Sequence, residues 1–112
     1  MSPLNMAIEN LDEEAVQALI ASGADVNRPE PDLGGCHPLQ HSVDIECEDS
    51  CRRYDAGDRD AAPHAYITEL LFRAGANPDL VDGHGGCARS WAEQRSHQDA
   101  VRVFLGIKRN AG

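Results

Sequence analysis

The chain has 112 residues, of which 19 are acidic and 10 are basic, and its formal net charge is −9 at pH 7. This length suits one domain with a single core, and no apolar run approaches the roughly 18 residues that a membrane-spanning helix needs. Residues 1–60 carry 14 acids and four arginines, a charge that repels phosphate, so nucleic acid is excluded as a direct partner.

The first helix pair is predicted at the start of the sequence. Residues 2–7 read S-P-L-N-M-A. Pro is tolerated in the first turn of a helix, where its missing N–H leaves no hydrogen bond unmade, and the Ser before it is a capping residue. The helical spacing of Val16, Leu19 and Ile20 indicates a second helix. It ends in the phrase L-I-A-S-G-A-D-V-N over residues 19–27, whose Gly can adopt the left-handed conformation that ends a helix.

The same two phrases return later in the chain. Residues 37–42 read H-P-L-Q-H-S and residues 71–79 read L-F-R-A-G-A-N-P-D. A weaker third opening, G-G-C-A-R-S-W-A, stands at residues 85–92. In the first unit, Gly23 lies 16 positions after Ala7. In the second unit, Gly75 lies 33 positions after Ser42, which is the residue that corresponds to Ala7. This difference indicates an insertion of 17 residues in the second unit.

This pattern resembles the ankyrin repeat, a unit of about 33 residues built from a turn and two antiparallel helices. The family pattern G-x-T-P-L-H-x-A, followed by a helix and then G-A-D-x-N, covers almost the whole sequence. The resemblance implies an all-α fold, a short solenoid of helix-turn-helix units with one acidic insertion loop. The single domain, 1–112, divides into repeat one at about 1–31, repeat two at about 32–79 with the insertion at about 46–62, and repeat three at about 80–112.

Two further apolar sets have helical spacing and are predicted to lie in the core: Ile67, Leu70, Leu71 and Phe72, then Val101, Phe104 and Leu105. Trp91 is predicted either to lie in the core under the last helix or to be a partly exposed contact. Arg89 stands where the family has Leu, and we interpret it as the polar outer face that a terminal repeat needs. His37 and His97 lie at turn positions and are interpreted as structural hydrogen-bonding residues.

In the ankyrin family the turn tips and the first helix of each pair line the concave binding side. Carried over by position, this implies a partner-binding surface made of Glu9, Asn10, Asp32, Leu33, Asp44, Ile45, His84 and Arg95. The predicted insertion adds Glu46, Glu48, Asp49 and Tyr54, and we expect the acids to form one patch beside a flexible loop. The alternative is a solvated loop without a binding role, because its polar composition cannot bury much surface.

Cysteine and histidine offer a different site. Cys47 and Cys51 lie one turn apart if their segment is helical, and Cys36, His37 and His41 precede them, so a zinc site is conceivable. However, the sequence has no C-x-x-C pair, and we predict neither a metal nor a cofactor. The cysteines are expected to be reduced thiols. The sequence has neither a nucleophile elbow nor a phosphate-cradling glycine loop, so we predict that the protein is not an enzyme.

Small size, acidity and two to three such repeats resemble the ankyrin-type immunity proteins of bacterial polymorphic toxin systems. That resemblance implies a protein, monomeric when free, that neutralises a cognate toxin by covering its active site. The partner would be a protein with a basic surface, attracted over long range by the acids; no membrane partner is expected. The first ten residues have no basic segment and no long apolar stretch, so we expect a cytoplasmic location. The alternative function is a general adaptor or regulatory scaffold that binds a cellular protein.

Overall fold

The computed structural model describes residues 2–106. Its helices are α1 (Pro3–Glu9), α2 (Glu13–Ala21), α3 (Pro38–Asp55), α4 (Tyr66–Arg73), α5 (Ala88–Gln94) and α6 (Gln98–Phe104), with a short 3-10 turn at Pro31–Leu33. Within this range there is no β-strand, only an isolated bridge between Glu30 and Cys36, and no helix long and apolar enough to cross a membrane. The predicted all-α fold is confirmed.

Capping side chains and glycine turns lie at several of the helix ends. The Ser2 side chain accepts a hydrogen bond from a first-turn N–H of α1, and the Asp12 side chain does the same for α2. His37 is the N-cap residue of α3 and forms a capping box with Gln40. The Gln40 side-chain oxygen accepts a hydrogen bond from the His37 N–H at 2.9 Å. After α2 and α4 the chain turns at Gly23 and Gly75, whose φ angles of 95° and 99° favour glycine.

The helices form two layers. The first helices of the three pairs pack side by side in the order α1, α3, α5, and the second helices pack as α2, α4, α6. The core lies between the layers and includes Ile8, Val16, Leu39, Val43, Ile67, Leu71 and Phe104. The predicted core is therefore confirmed for Val16, Ile67, Leu71 and Phe104. The prediction is wrong for Leu105, which follows the end of α6 and is 63% exposed.

Polar side chains form hydrogen bonds between successive repeats. The Asn27 side-chain amide donates to the Gly75 carbonyl at 3.2 Å, and its oxygen accepts from the Asn77 N–H at 2.7 Å. Between the second repeat and the third, the buried Gln40 amide donates to the carboxylate of Asp82 at 2.9 Å. Because these bonds join residues more than 40 positions apart, they fix the spacing of the repeats.

The insertion differs from the expected loop in its first half. α3 has 18 residues, whereas α1 and α5 have seven each. The additional 11 residues lengthen the helix by about 16 Å. Only residues 56–65 lack helical structure before α4 begins. This return segment is held by Arg53, whose guanidinium donates to Asp49 at 3.0 Å and to the Ala62 carbonyl at 2.8 Å.

Candidate partner-binding groove

A groove of about 230 Å³ lies on the side of the stack where the first helices meet. It is lined by Glu9 from α1, by His41, Asp44, Ile45 and Glu48 from α3, by Trp91 from α5, and by Leu33 and Cys36 from the preceding turn. The four α3 residues are spaced at i, i+3, i+4 and i+7, so one face of that helix supplies half of the lining. We call this site the inner groove.

Five of the predicted partner-binding residues line the inner groove: Glu9, Leu33, Asp44, Ile45 and Glu48. A sixth, Arg95, forms an ion pair with Asp44. Ile45 is only 7% exposed and therefore contributes to the floor of the groove. Sequence reasoning did not place His41 or Cys36 in this site, although the helical spacing of His41 with its neighbours on α3 was a usable signal.

The carboxylates of the inner groove make it acidic, and the histidine in its lining does not offset their charge. His41 is buried, and its Nδ1 donates to the Asn5 side-chain oxygen at 2.8 Å. Burial lowers the pKa of His41, although the carboxylates of Glu9 and Asp44 partly offset this effect. His41 is therefore neutral at pH 7, and the charges of the groove are those of its carboxylates. Glu9 and Asp44 keep side-chain exposures of 51% and 40%.

Arg95 is the one cation that the structure places at this site within residues 2–106. Its guanidinium pairs with Asp44, and its Cζ lies 4.7 Å from the centroid of the Trp91 ring. Trp91 packs partly against the core and partly lines the groove. Trp91 is therefore both part of the core packing and a partly exposed contact residue, the two alternatives predicted for it.

The prediction that Glu46 contacts a partner is wrong, because its side chain is completely buried. The carboxylate accepts hydrogen bonds from the N–H groups of Ile67 and Thr68 at 3.2 Å each, from the Thr68 hydroxyl at 2.7 Å, and from His97 Nε2 at 2.8 Å. The N-cap residue of α4, Ala65, has no side-chain cap. Glu46 supplies that cap from the neighbouring helix, where the helix dipole also favours a negative charge.

His97 has the structural role that its turn position indicates. It is fully buried, and its Nδ1 accepts a hydrogen bond from the Ala100 N–H at 3.3 Å, which caps α6. Since Nδ1 accepts, the proton of the neutral ring lies on Nε2, from which it is donated to Glu46. The Glu46 carboxylate therefore connects α3 with α4 directly and with α6 through His97.

The other predicted contact residues lie outside the groove lining. Asp49 forms an ion pair within α3 at 3.0 Å and faces the return segment. Tyr54 is 45% exposed near the end of α3, with the guanidinium of Arg59 lying 4.6 Å from its ring centroid. Asn10 ends α1 and is exposed. Asp32 and His84 are exposed on neighbouring turn tips, where the two turns approach each other at Gly34.

Within residues 2–106, no three side chains of His, Cys, Asp or Glu are grouped as metal ligands would be. The four cysteines are free thiols. Burial raises the pKa of Cys36 to about 12 and that of Cys47 to about 11. These two thiols are thus protonated at neutral pH and are poor nucleophiles.

The thiols are therefore expected to react at different rates. Because the thiolate is the reactive form, iodoacetamide at pH 8 should modify the exposed Cys51 well before Cys36 or Cys47 in the folded protein. Peptide mass spectrometry after partial labelling measures the order. In 8 M urea, where burial is lost, the three rates should converge. Faster labelling of Cys36 than of Cys51 in the folded chain would contradict the described burial.

Comparison with known proteins supports the fold. No family model matches the chain. The chain is 31% identical over 103 residues to the potassium channel AKT1 of rice, Oryza sativa, in both the indica and japonica subspecies, a match that covers 92% of this chain and 9% of the channel. An ankyrin repeat domain from Acinetobacter baumannii, known from a crystal structure, matches with a TM-score of 0.70 and 29% identity, over 94% of this chain and 47% of that one.

The fold is thus an ankyrin-repeat solenoid, as the sequence predicts. Ankyrin-repeat stacks are scaffolds for protein interaction, which fits an inner groove built from side chains of several repeats. The chain spans about half of the solved bacterial domain and less than a tenth of the plant channel.

Proposed function

We propose that the chain is a protein-binding module that holds a basic segment of another protein in the inner groove. The observation that carries this proposal is that Glu9, Asp44 and Glu48 line one groove together with a floor that includes apolar side chains such as Ile45. Such a floor provides contact area, while the carboxylates select partners of opposite charge and steer their approach.

We further propose that the partner is a bacterial toxin and that this chain is its immunity protein. Enzymes that cut nucleic acids need a basic cleft to hold phosphate, and an acidic groove of this kind is complementary to it. The chain would act by occlusion, covering the active site of the toxin. Its net charge of −9 supports this form of the proposal, because long-range attraction speeds capture.

The alternative is an adaptor that binds an ordinary cellular protein. The feature that favours it is the apolar part of the groove, where Leu33, Ile45 and Trp91 lie together. An adaptor that relies on this floor would bind with little dependence on salt. An immunity protein would bind one partner tightly, with an association rate that falls steeply as salt rises.

Co-expression tests the immunity proposal. The chain would be produced with the protein encoded immediately upstream of it, and the complex recovered by affinity purification. The proposal expects tight capture and rescue of host growth from the toxicity of that protein. If the neighbouring protein is neither captured nor toxic, the immunity proposal is contradicted, whereas the protein-binding proposal is then tested with other partners.

Charge reversal tests the position of the binding surface. Glu48→Lys is expected to weaken binding of a captured partner by about tenfold or more at low salt, mainly through slower association. The matched control is Glu14→Lys, which makes the same charge change at an exposed residue of α2 in the other layer. Surface plasmon resonance at several salt concentrations gives the rates. Equal losses in both variants would show that net charge matters and the groove does not.

A further inference from the structure

Arg95 occupies a defined position at the edge of the inner groove. It follows the last residue of α5 as its C-cap, and its side chain lies against Trp91 with the Cζ 4.7 Å from the ring centroid. The same guanidinium pairs with Asp44, which is 51 residues earlier in the chain. A planar cation between an aromatic ring and a carboxylate is the arrangement by which proteins bind arginine.

We infer that the face of Trp91 and the carboxylate of Asp44 form a guanidinium-binding subsite, which Arg95 fills in the free chain and an arginine of the partner occupies in the complex. This inference rests on the proposed function, in which the groove holds a basic segment. It adds the chemical class of the side chain that is recognised and identifies Arg95 as an internal competitor for it.

The charge balance of the groove favours a second cation. Glu9, Asp44 and Glu48 contribute three negative charges, and His41 is neutral at pH 7, so Arg95 leaves two charges uncompensated. Within residues 2–106, Glu48 is exposed and takes part in none of the ion pairs. A basic segment with several cations therefore compensates more of the negative charge of the groove than Arg95 does alone.

The exchange of one arginine for another costs little. The side chains of Arg95 and Asp44 are each 40% exposed, and ion pairs exposed to this degree contribute little to stability. The side chain of Arg95 can turn into solvent without uncovering a buried charge. Arginine suits the subsite better than lysine, because its flat guanidinium stacks on a ring and presents forked donors to a carboxylate.

Fluorescence of Trp91, the single tryptophan of the chain, provides the test. The probes are hexa-arginine and hexa-lysine peptides, both acetylated and amidated. They are titrated into the wild-type chain, into Arg95→Gln, and into Arg102→Gln. Arg102 is an exposed arginine of α6 that pairs with Asp99 at 3.3 Å, so this control makes the same change in net charge away from the groove.

We expect Arg95→Gln to bind hexa-arginine about threefold to tenfold more tightly than Arg102→Gln does, as removal of one competing cation–π contact and ion pair implies. The gain for hexa-lysine should be smaller. Asp44→Asn should weaken the binding of hexa-arginine. Circular dichroism of each variant establishes that the fold is retained.

The outcomes separate this inference from the proposed function. Equal affinity of Arg95→Gln and Arg102→Gln for hexa-arginine would overturn the subsite and leave the basic-segment groove in place. Equal gains for the arginine and lysine peptides would overturn the preference for guanidinium. If neither peptide binds the wild-type chain or any variant at millimolar concentration, the proposed recognition of basic segments fails, and the subsite fails with it.

Discussion

Glu46→Ala is expected to lower the free energy of unfolding by about 3–5 kcal/mol, because it leaves three buried N–H donors without an acceptor and each unsatisfied buried donor costs about 1–3 kcal/mol. Natural domains have total stabilities of about 5–15 kcal/mol, so this loss is large for a stack of three repeats. Urea denaturation followed by far-UV circular dichroism measures the change.

The reason for the large effect is that Glu46 is a shared acceptor in the interior. Without its carboxylate, the N–H groups of Ile67 and Thr68 and the Nε2–H of His97 lose their acceptor in a region without exposure to solvent. Leaving buried donors unsatisfied costs more than the bonds themselves contribute. The start of α4 and the packing of α6 against it are therefore expected to be lost together.

Two variants control this prediction. Glu48→Ala changes the same residue type two positions later, but Glu48 is exposed, so its effect should stay within about 0.5 kcal/mol. Glu46→Gln keeps the shape and one acceptor oxygen and should fall between the two. If the unfolding midpoints of Glu46→Ala and Glu48→Ala are equal, Glu46 does not cap α4.

The contrast between Glu46 and Glu48 also shows where sequence reasoning was insufficient. Both acids stand in the run E-C-E-D, and the sequence alone assigns them to one acidic surface patch. Their different positions depend on partners distant in sequence, since Thr68 and His97 lie 22 and 51 residues after Glu46. The structure shows that Ala65 has no side chain that can cap α4, and the sequence does not reveal that Glu46 supplies the acceptor.

The helical extension was predictable in part. Polar composition favoured a loop over 46–62, yet Asp49 and Arg53 have the i, i+4 spacing of a stabilising helix pair. Arg52 and Arg53 also lie in the last turn of α3, where positive charge interacts favourably with the helix dipole. These local signals predict the helix. The course of the return segment depends on the bond between Arg53 and the Ala62 carbonyl, which composition does not reveal.

The inner groove was predicted more completely than the insertion. Repeat positions alone identified Glu9, Leu33 and Asp44, because the spacing of repeated phrases determines which helix faces the same side of the stack. The role of Trp91 required three-dimensional information, since its exposure depends on how closely α5 packs beside α3. The stack of helices could therefore be derived from the sequence, whereas contacts between repeats determined which side chains were buried.

Leu71→Ala is expected to cost about 2–5 kcal/mol, as truncation of a fully buried leucine does. Leu71 has no exposed surface and lies in α4. This helix packs against α2, α6 and α3. In a repeat stack each unit is stabilised mainly by its neighbours. A cavity in the central repeat is therefore expected to weaken both interfaces and to lower the unfolding midpoint of the whole chain in a single transition.

The same substitution at Leu105 is the matched control. The periodicity of the sequence assigns both leucines to the core, but Leu105 is 63% exposed. Its replacement by alanine should change the free energy of unfolding by less than about 0.5 kcal/mol. Urea titrations of the two variants, each monitored by far-UV circular dichroism, compare the losses directly. Equal destabilisation would contradict the end of α6 at Phe104, while a loss confined to Leu71→Ala would support the position of the core between the two layers.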